Sequence, residues 1–184
     1  MKLLIASDIH GSNYYMKLLL HRFKEEQADS LLLLGDYLYH GPRNPLTKDY
    51  DPSEVARLLN SVKDNVIGVR GNCDSEVDQM VLQFPMLGDY IQLVMDGCSF
   101  FLTHGHIDLK NIIETNRNII LLSGHTHIPF LHKDKNITYI NPGSISLPKE
   151  NHPNTYAIYN QGVFQIKTLE GKVYQEINLK SYVD

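Results

Sequence analysis

The sequence predicts a single α/β domain in which two β-sheets pack together and helices lie outside them. In the first half, short apolar runs alternate with amphipathic segments, which is typical of buried parallel strands joined by helices. In the second half, short strand-like runs between turns indicate mostly antiparallel pairing. A chain of 184 residues with 42% hydrophobic residues is long enough for one well-packed core and short for two. Residues 1–184 are therefore expected to form one domain.

The first half contains three predicted buried strands with two helices between them. Residues 3–7, 31–34 and 66–69 are mostly apolar runs of strand length. Ser12 is a candidate N-cap for the first helix, and Pro52 stands in the first turn of the second. Apolar side chains recur at helical spacing after both positions. This alternation of strand and helix predicts parallel pairing of the three strands.

A long loop and a third helix start complete the first half. Residues 37–51 show no periodicity and contain Gly41 and two prolines. Long ordered loops in compact domains are often functional, so this loop is a candidate part of a site. After Asp74, Ser75 and Asp78 have the spacing of a capping box, which predicts another helix.

The second half is predicted to consist of short strands. Residues 90–94 and 99–102 flank a turn at Asp96 and predict a hairpin. Residues 119–122 form another buried apolar run. The remaining predicted strands are residues 130–132, 137–140, 155–159, 163–168 and 173–178.

Composition excludes several classes of partner. The net charge is −4 and no Lys/Arg stripe is present, so nucleic acid is not expected as the main partner. Cys73 and Cys98 do not form a disulfide framework and suit a reducing compartment. No apolar run approaches the ~20 residues that span a bilayer, so no membrane partner is expected. The expected location is cytoplasmic.

Polar side chains that can bind metal ions follow five of the predicted apolar runs. If these five loops meet at one edge of a sheet, their side chains can converge on one point. Asp8 and His10 are two residues apart, so at an extended strand end they face the same side, and His125 and His127 repeat this spacing. The candidate ligands are Asp8, His10, Asp36, Asn72, His104, His125 and His127.

Together these imidazoles, carboxylates and one amide oxygen make a mixed nitrogen and oxygen ligand set that is too large for one ion. Two ions that share a carboxylate would use the set fully, and Asp36 is suited to bridge them. Two metals about 3.5–4 Å apart are a common arrangement for phosphoester hydrolysis. A single histidine is more often an ordinary polar residue, and Gly35-Asp36 alone is usually only a turn. Five such loops in one chain favour the metal site.

The order of these motifs resembles the calcineurin-like metallophosphoesterase superfamily and spans most of the chain. The short length and three local segments are similar to the YfcE-type bacterial phosphodiesterase branch of that superfamily. The resemblance implies an α/β fold, a four-layer α/β/β/α sandwich of two mixed β-sheets flanked by helices. The three segments are Gly71-Asn72-Cys73-Asp74, His40-Gly41-Pro42-Arg43-Asn44 and Asn141-Pro142-Gly143-Ser144.

The resemblance also implies a dinuclear centre and its chemistry. The ions implied are two Mn²⁺ per chain, with Zn²⁺ or Fe compatible with the same ligands. The reaction implied is hydrolysis of a small phosphodiester with a metal hydroxide as nucleophile, in which Asp36, Asn72 and His104 are catalytic. One ion would take Asp8, His10, Asp36 and His127, and the other Asp36, Asn72, His104 and His125.

The sequence leaves alternative roles open for two neighbouring residues and for three possible substrate contacts. Cys73 stands where many superfamily members have the histidine that assists the leaving group, and a thiol serves this role poorly. Asp74 either orients the site or caps the following helix. Arg43 and Arg70 either hold phosphate or are surface arginines, and His106 either touches substrate or only hydrogen-bonds near the site.

Three functions compete at this point. The leading one is a metal-dependent phosphodiesterase. The same ligands could serve a phosphomonoesterase, including a phosphoprotein phosphatase, although the short chain argues mildly against protein substrates. The third is a non-catalytic protein-binding module, as in the retromer subunit of this fold, but the full set of seven ligands favours an enzyme. The expected partner is a small phosphodiester, and a homo-oligomer is left possible.

Overall fold

The computed structural model describes residues 1–109, 113 and 118–179, in which the chain forms two mixed β-sheets, the α-helices given below and a short 3-10 helix at Lys63–Asn65. The helices are α1 (Asn13–Glu25), α2 (Pro52–Asn60) and α3 (Glu76–Val81). The strands are β1 (Lys2–Ala6), β2 (Ser30–Leu33), β3 (Val66–Gly68), β4 (Tyr90–Met95), β5 (Cys98–Thr103), β6 (Ile119–Leu122), β7 (Phe130–Asp134), β8 (Ile137–Asn141), β9 (Thr155–Asn160), β10 (Val163–Thr168) and β11 (Val173–Asn178). All the predicted strands are present, with boundaries shifted by at most two residues.

The first sheet has six strands in the order β11-β10-β9-β1-β2-β3. Its first three strands in sequence, β1, β2 and β3, pair in parallel, as the alternation of strands and helices predicts. β9 pairs antiparallel with β1, and the hairpin strands β10 and β11 extend the sheet on that side. The carboxyl ends of β1, β2 and β3 therefore lie side by side at one edge of the sheet.

The second sheet has five strands in the order β4-β5-β6-β8-β7. The prediction of mostly antiparallel strands in the second half is wrong for its centre, because β5, β6 and β8 are parallel. In the sequence, residues 104–118 separate β5 from β6, a spacing long enough for a parallel connection. β7 lies at the edge of the sheet and pairs antiparallel with β8. The chain then turns back, so β8 runs parallel to β6 and lies between β6 and β7. The carboxyl ends of β5 and β6 are thus also neighbours.

Apolar side chains fill the space between the two sheets. Ile5 and Leu32 of the first sheet pack in one buried cluster with Phe100, Leu122 and Ile140 of the second. A second cluster lies between the first sheet and the helices α1 and α2, and a third covers the outer face of the second sheet. Burial of each such side chain stabilises the fold by about 1.5–3 kcal/mol. Burial on both faces explains why the strands are continuous apolar runs.

The predicted helix starts are confirmed. Ser12 caps α1, since its side chain accepts a hydrogen bond from the Tyr15 amide at 3.3 Å. Ser75 caps α3 and forms the capping box with Asp78. In the described part of the chain, no helix is long and apolar enough to cross a membrane.

Candidate metal centre

The five polar loops converge, but they come from two sheets rather than from the edge of one. Three loops follow β1, β2 and β3 of the first sheet, and two follow β5 and β6 of the second. Because the two sheets stack face to face, the carboxyl ends of these five strands point to the same side of the molecule. The predicted convergence therefore depends on the stacking of the two sheets, and the sequence pattern does not specify which loop belongs to which sheet.

The prediction that the paired ligands share a face of an extended strand is wrong. Asp8 and His10 have φ of 57° and 48°, and His125 and His127 have φ of 69° and 63°. Asp36 is also in this left-handed region, with φ of 58°. Such a backbone costs about 1–3 kcal/mol for each non-glycine residue and concentrates at functional sites. Surrounding contacts must hold each ligand in this conformation.

A buried segment that contains the Asn-Pro-Gly-Ser motif holds two of these loops. The hydroxyls of Ser144 and Ser146 both donate to the Asp8 carbonyl oxygen, at 2.8 Å each. The side-chain amide of Asn141 donates to the Gly124 carbonyl oxygen at 2.7 Å, next to His125. Residues 141–146 thus link a loop of the first sheet to a loop of the second.

Replacing Ser144 by alanine is expected to lower divalent metal affinity by about 10–100-fold, because the Asp8 loop loses one of its two hydroxyl donors. Competition with a chromogenic chelator measures this affinity without any catalytic assay. Thr138→Val is a matched control, since the buried Thr138 hydroxyl has no hydrogen-bond partner among the described residues. Equal affinity of Ser144→Ala and the control would contradict the proposed role of this segment.

Backbone carbonyl groups fix the orientation of three candidate histidines. In each, Nδ1 lies within hydrogen-bond distance of a carbonyl oxygen, so Nδ1–H donates and Nε2 is available as a ligand. This is the usual arrangement of a metal-binding histidine, in which an outer partner sets the ring tautomer. The pairs are His10 with Tyr39 at 2.9 Å, His104 with Leu34 at 2.6 Å and His127 with Leu147 at 2.6 Å.

The Nε2 atoms of these histidines face two buried carboxylates. Ligand atoms of Asp8, His10 and His127 lie within 4.8 Å of one another, and those of Asp8, Asp36 and His104 do so as well. Asp8 Oδ1 is buried and has no hydrogen-bond partner among the described residues, which fits an oxygen that coordinates a cation. The closest distances are 3.2 Å from His127 Nε2 to Asp8 Oδ1, 3.4 Å from His104 Nε2 to Asp36 Oδ2, and 3.6 Å from His10 Nε2 to Asp36 Oδ2.

The histidines and carboxylates of the cluster stabilise each other's charged forms. Burial alone raises the pKa of Asp8, but His10 and His127 lower it further than burial raises it. Burial likewise raises the pKa of Asp36, but His104 lowers it by more, so the net shift of the Asp36 pKa is downward. Burial lowers the pKa of His104, whereas Asp36 raises it, and the net result is about 9. The ionised carboxylates that attract protons to these rings also attract a divalent cation, which competes with the protons.

Two glycines let the loops approach each other closely. A Cβ atom on Gly71 would lie 2.1 Å from Asp36 Oδ1, and one on Gly124 would lie 1.9 Å from Ser7 Oγ. Both contacts are far too short for any other residue. The glycines that precede Asn72 and His125 are therefore required by packing around the carboxylates.

Asp74 ties the loop after β2 to the loop after β3. Its carboxylate accepts hydrogen bonds from the backbone amides of Gly71 at 2.7 Å, Asp36 at 2.8 Å and Tyr37 at 2.9 Å. The helix that follows is capped by Ser75, so the capping alternative for Asp74 is wrong. Burial and the nearby charge of Asp36 raise the pKa of Asp74 to about 6, although the backbone donors act in the opposite direction.

Asn72 and Cys73 lie where the third loop meets the candidate metal ligands. Asn72 Oδ1 is 3.0 Å from His104 Nε2, as expected if both bind one cation. The Cys73 amide donates to Asp36 Oδ1 at 2.9 Å. Burial and the charge of Asp36 raise the pKa of the Cys73 thiol to about 12, so the thiol is uncharged near neutrality.

A cavity of about 700 Å³ opens onto the ligand cluster. The ring centroid of His125, one of its lining residues, is 5.1 Å from that of His104, and burial lowers the pKa of His125. Other lining residues come from the long loop after β2, as its length and irregularity predict. The lining residues are Asp36, Tyr39, Gly41, Pro42, Arg43, Asn44, Asn72, Cys73, Asp74, Ser75, His125, His127 and Lys149.

The three predicted substrate contacts have different positions. Arg43 lines the cavity, whereas Arg70 is not among the lining residues and pairs with Asp89 at 2.5 Å. The ring centroid of His106 is 5.4 Å from that of His104, outside the cavity lining. Lys149 lines the cavity but was not predicted to do so, because neither its neighbours nor its spacing distinguishes it from a surface lysine.

The buried histidine and carboxylate cluster, at the carboxyl ends of strands from two stacked sheets, defines a metallophosphoesterase. Residues 1–161 match the family model of the calcineurin-like phosphoesterase superfamily domain, and the chain belongs to this superfamily. The chain is 45% identical over 170 residues to phosphodiesterase YfcE of Escherichia coli, and the match covers 92% of both chains. Over 195 residues it is 26% identical to the probable metallophosphoesterase YsnB of Bacillus subtilis, covering 94% of this chain and 99% of that protein.

Solved structures agree with this assignment. The structure of the E. coli phosphoesterase YfcE matches with a TM-score of 0.93 and 41% identity, covering 97% of this chain and 100% of that one. Vacuolar protein sorting 29 of Cryptosporidium parvum matches with a TM-score of 0.63 and 16% identity over 96% of this chain and 97% of that one, which shows the fold alone. The predicted superfamily and the fold of two mixed sheets flanked by helices are therefore confirmed.

Proposed function

We propose that this protein is a phosphodiesterase that depends on two divalent metal ions and hydrolyses small phosphodiesters. The observation that carries the proposal is the convergence of three histidine Nε2 atoms on the carboxylates of Asp8 and Asp36 beside a cavity of about 700 Å³. The 45% identity to a protein named as a phosphodiesterase supports the choice of diesters. Mn²⁺ is the first candidate ion, and the nitrogen and oxygen ligands also suit Zn²⁺ or Fe.

Asp36 is the residue that would belong to both ion sites. Its Oδ2 atom is 3.6 Å from His10 Nε2 and 3.4 Å from His104 Nε2, and these two histidines would bind different ions. Two divalent ions would supply an activated water and offset charge on the phosphate. One site would use Asp8, His10, Asp36 and His127, and the other Asp36, Asn72, His104 and His125.

Side chains of the cavity would position the substrate and assist the leaving group. Hydrolysis adds water across the P–O ester bond, so the departing oxygen must gain a proton. Cys73 lines the cavity, but a thiol with a pKa of about 12 gives up its proton poorly. The enzyme is therefore expected to favour diesters whose leaving group departs without an acid. Arg43 of the long loop lines the cavity, and we assign it a contact with the substrate.

The proposed function is tested with protein stripped by a chelator and then supplied with single metals. We expect about two ions per chain by elemental analysis, and hydrolysis of an aryl phosphodiester only after a metal is restored. The same aryl group in a monoester should react with lower kcat/KM, because the monoester carries an extra negative charge and depends more on a good acid. A monoester that is tenfold better would favour the phosphomonoesterase function.

A stoichiometry of one ion at saturating metal would contradict the dinuclear centre. Failure of every restored metal to support hydrolysis would leave the protein-binding alternative. That alternative has weak support in the site, because all seven ligand positions are occupied by residues that bind metals.

A further inference from the structure

The cavity is much larger than a phosphate group. Its volume is about 700 Å³, and two of the proposed metal ligands that line it, Asp36 and His127, form a buried floor with only 2% and 3% exposure. Arg43 and Lys149, which also line it, are exposed and therefore stand at its mouth. With the reacting phosphate at the floor, an ester group of the substrate extends toward the mouth.

Among the described residues, the two cations at the mouth have no ionic partner. Neither Arg43 nor Lys149 makes an ion pair with any residue in the described part of the chain. Arg57 and Arg70, by contrast, are paired with Glu54 and Asp89. The positive charge at the mouth is therefore available to a ligand.

Arg43 and Lys149 approach the cavity from different elements. Arg43 belongs to the loop in which a Cβ atom on Gly41 would lie 3.1 Å from Cys73 Sγ. The Lys149 amide donates to the His127 carbonyl oxygen at 3.3 Å. One cation is thus beside the Cys73 wall and the other beside the His127 wall.

No lining carboxylate is free to neutralise these cations. Asp36 belongs to the metal ligands, and the Asp74 carboxylate already accepts hydrogen bonds from three backbone amides. The remaining lining residues carry no acidic group. A diester phosphate has a single negative charge, which the proposed ions at the floor offset. The mouth therefore presents positive charge that a simple diester does not use.

We propose that Arg43 and Lys149 select phosphodiesters in which a second ester group carries its own negative charge, such as a carboxylate or a further phosphate. This inference rests on the proposed function and specifies its substrate class. Charge complementarity of this kind raises encounter rates and selects among partners. Because both side chains are exposed, the preference weakens as ionic strength rises.

The preference is measured with two para-nitrophenyl phosphodiesters that differ only at the end of the other ester chain, a carboxylate in one and a primary amide in the other. The wild type should have the higher kcat/KM for the carboxylate substrate. Arg43→Met and Lys149→Met should each reduce the carboxylate-to-amide ratio by about fivefold, which corresponds to ~1 kcal/mol for an exposed ion pair. Lys24→Met, an exposed position on α1, is the matched control and should leave the ratio unchanged.

Equal ratios in the wild type and both variants would overturn the inference. The inference would also be overturned if Arg43→Met and Lys149→Met lowered kcat/KM more for a para-nitrophenyl monoester than for the carboxylate diester. The cations would then contact the reacting phosphate. Binding of matched phosphonates, with a carboxylate or an amide end, measures the same preference by calorimetry without turnover. A wild type that binds the carboxylate phosphonate more tightly and cleaves neither diester would refute the phosphodiesterase function and support the charge preference.

Discussion

Asp36→Asn is expected to lower kcat/KM for an aryl phosphodiester by at least about 100-fold, the largest loss among single ligand changes. Asp36 Oδ2 lies near Nε2 of His10 and of His104, and Asp36 Oδ1 accepts a hydrogen bond from the Cys73 amide. An amide replaces one carboxylate oxygen with an NH₂ group and removes the negative charge shared by both proposed ions. Both ions and the loop that carries Cys73 are therefore disturbed together.

Asn72→Ala is the informative comparison for Asp36→Asn. Asn72 is exposed, and its Oδ1 atom is 3.0 Å from Nε2 of one histidine of the cluster, His104. Its loss should affect one ion and cost less activity than Asp36→Asn. Asp134→Asn, an exposed carboxylate on β7, controls for the loss of a charge and should retain full activity. Activity of Asp36→Asn equal to that of the wild type would remove Asp36 from the site.

Cys73→His is expected to raise kcat by up to about 100-fold on diesters with poor leaving groups, the lower part of the range for general acid catalysis. The Cys73 thiol has a pKa of about 12, whereas an imidazole with an ordinary pKa near ~6.5 can give up a proton near neutrality. The loop around Gly41 closes one side of Cys73, so a longer side chain must extend into the cavity. Activated aryl esters should gain less, because their leaving groups need no proton in the transition state.

Cys73→Ala tests the opposing role for the same side chain. Cys73 Sγ lies within 4.8 Å of ligand atoms of His10 and Asp36, so a thiolate bound to metal is the alternative to a neutral thiol. If the thiol only lines the cavity, Cys73→Ala should keep both metals and much of the activity on activated esters. Lower metal content in Cys73→Ala, together with no gain in Cys73→His, would identify Cys73 as a ligand.

Local patterns in the sequence are enough to predict the candidate metal-binding residues and the strands that carry them. Asp8, Asp36 and Asn72 each follow an apolar run, and such runs are local features that burial on both faces of a sheet imposes. The helix starts at Ser12 and Ser75 were also predictable, because capping acts over three residues. These properties depend on neighbours in the chain, so the pattern of residues is sufficient to predict them.

Contacts between distant segments determine how those residues are held. The left-handed backbone of Asp8 is held by hydroxyls 136 and 138 residues away, on Ser144 and Ser146, and no local pattern signals such a contact. The roles of Asp74 and Arg70 were likewise decided by distant partners, the Asp36 loop for one and Asp89 for the other. A loop conformation and the partner of a charge depend on which segments fold against each other. Residue type supplies the candidate ligands, and packing of the two sheets brings them within reach of one another.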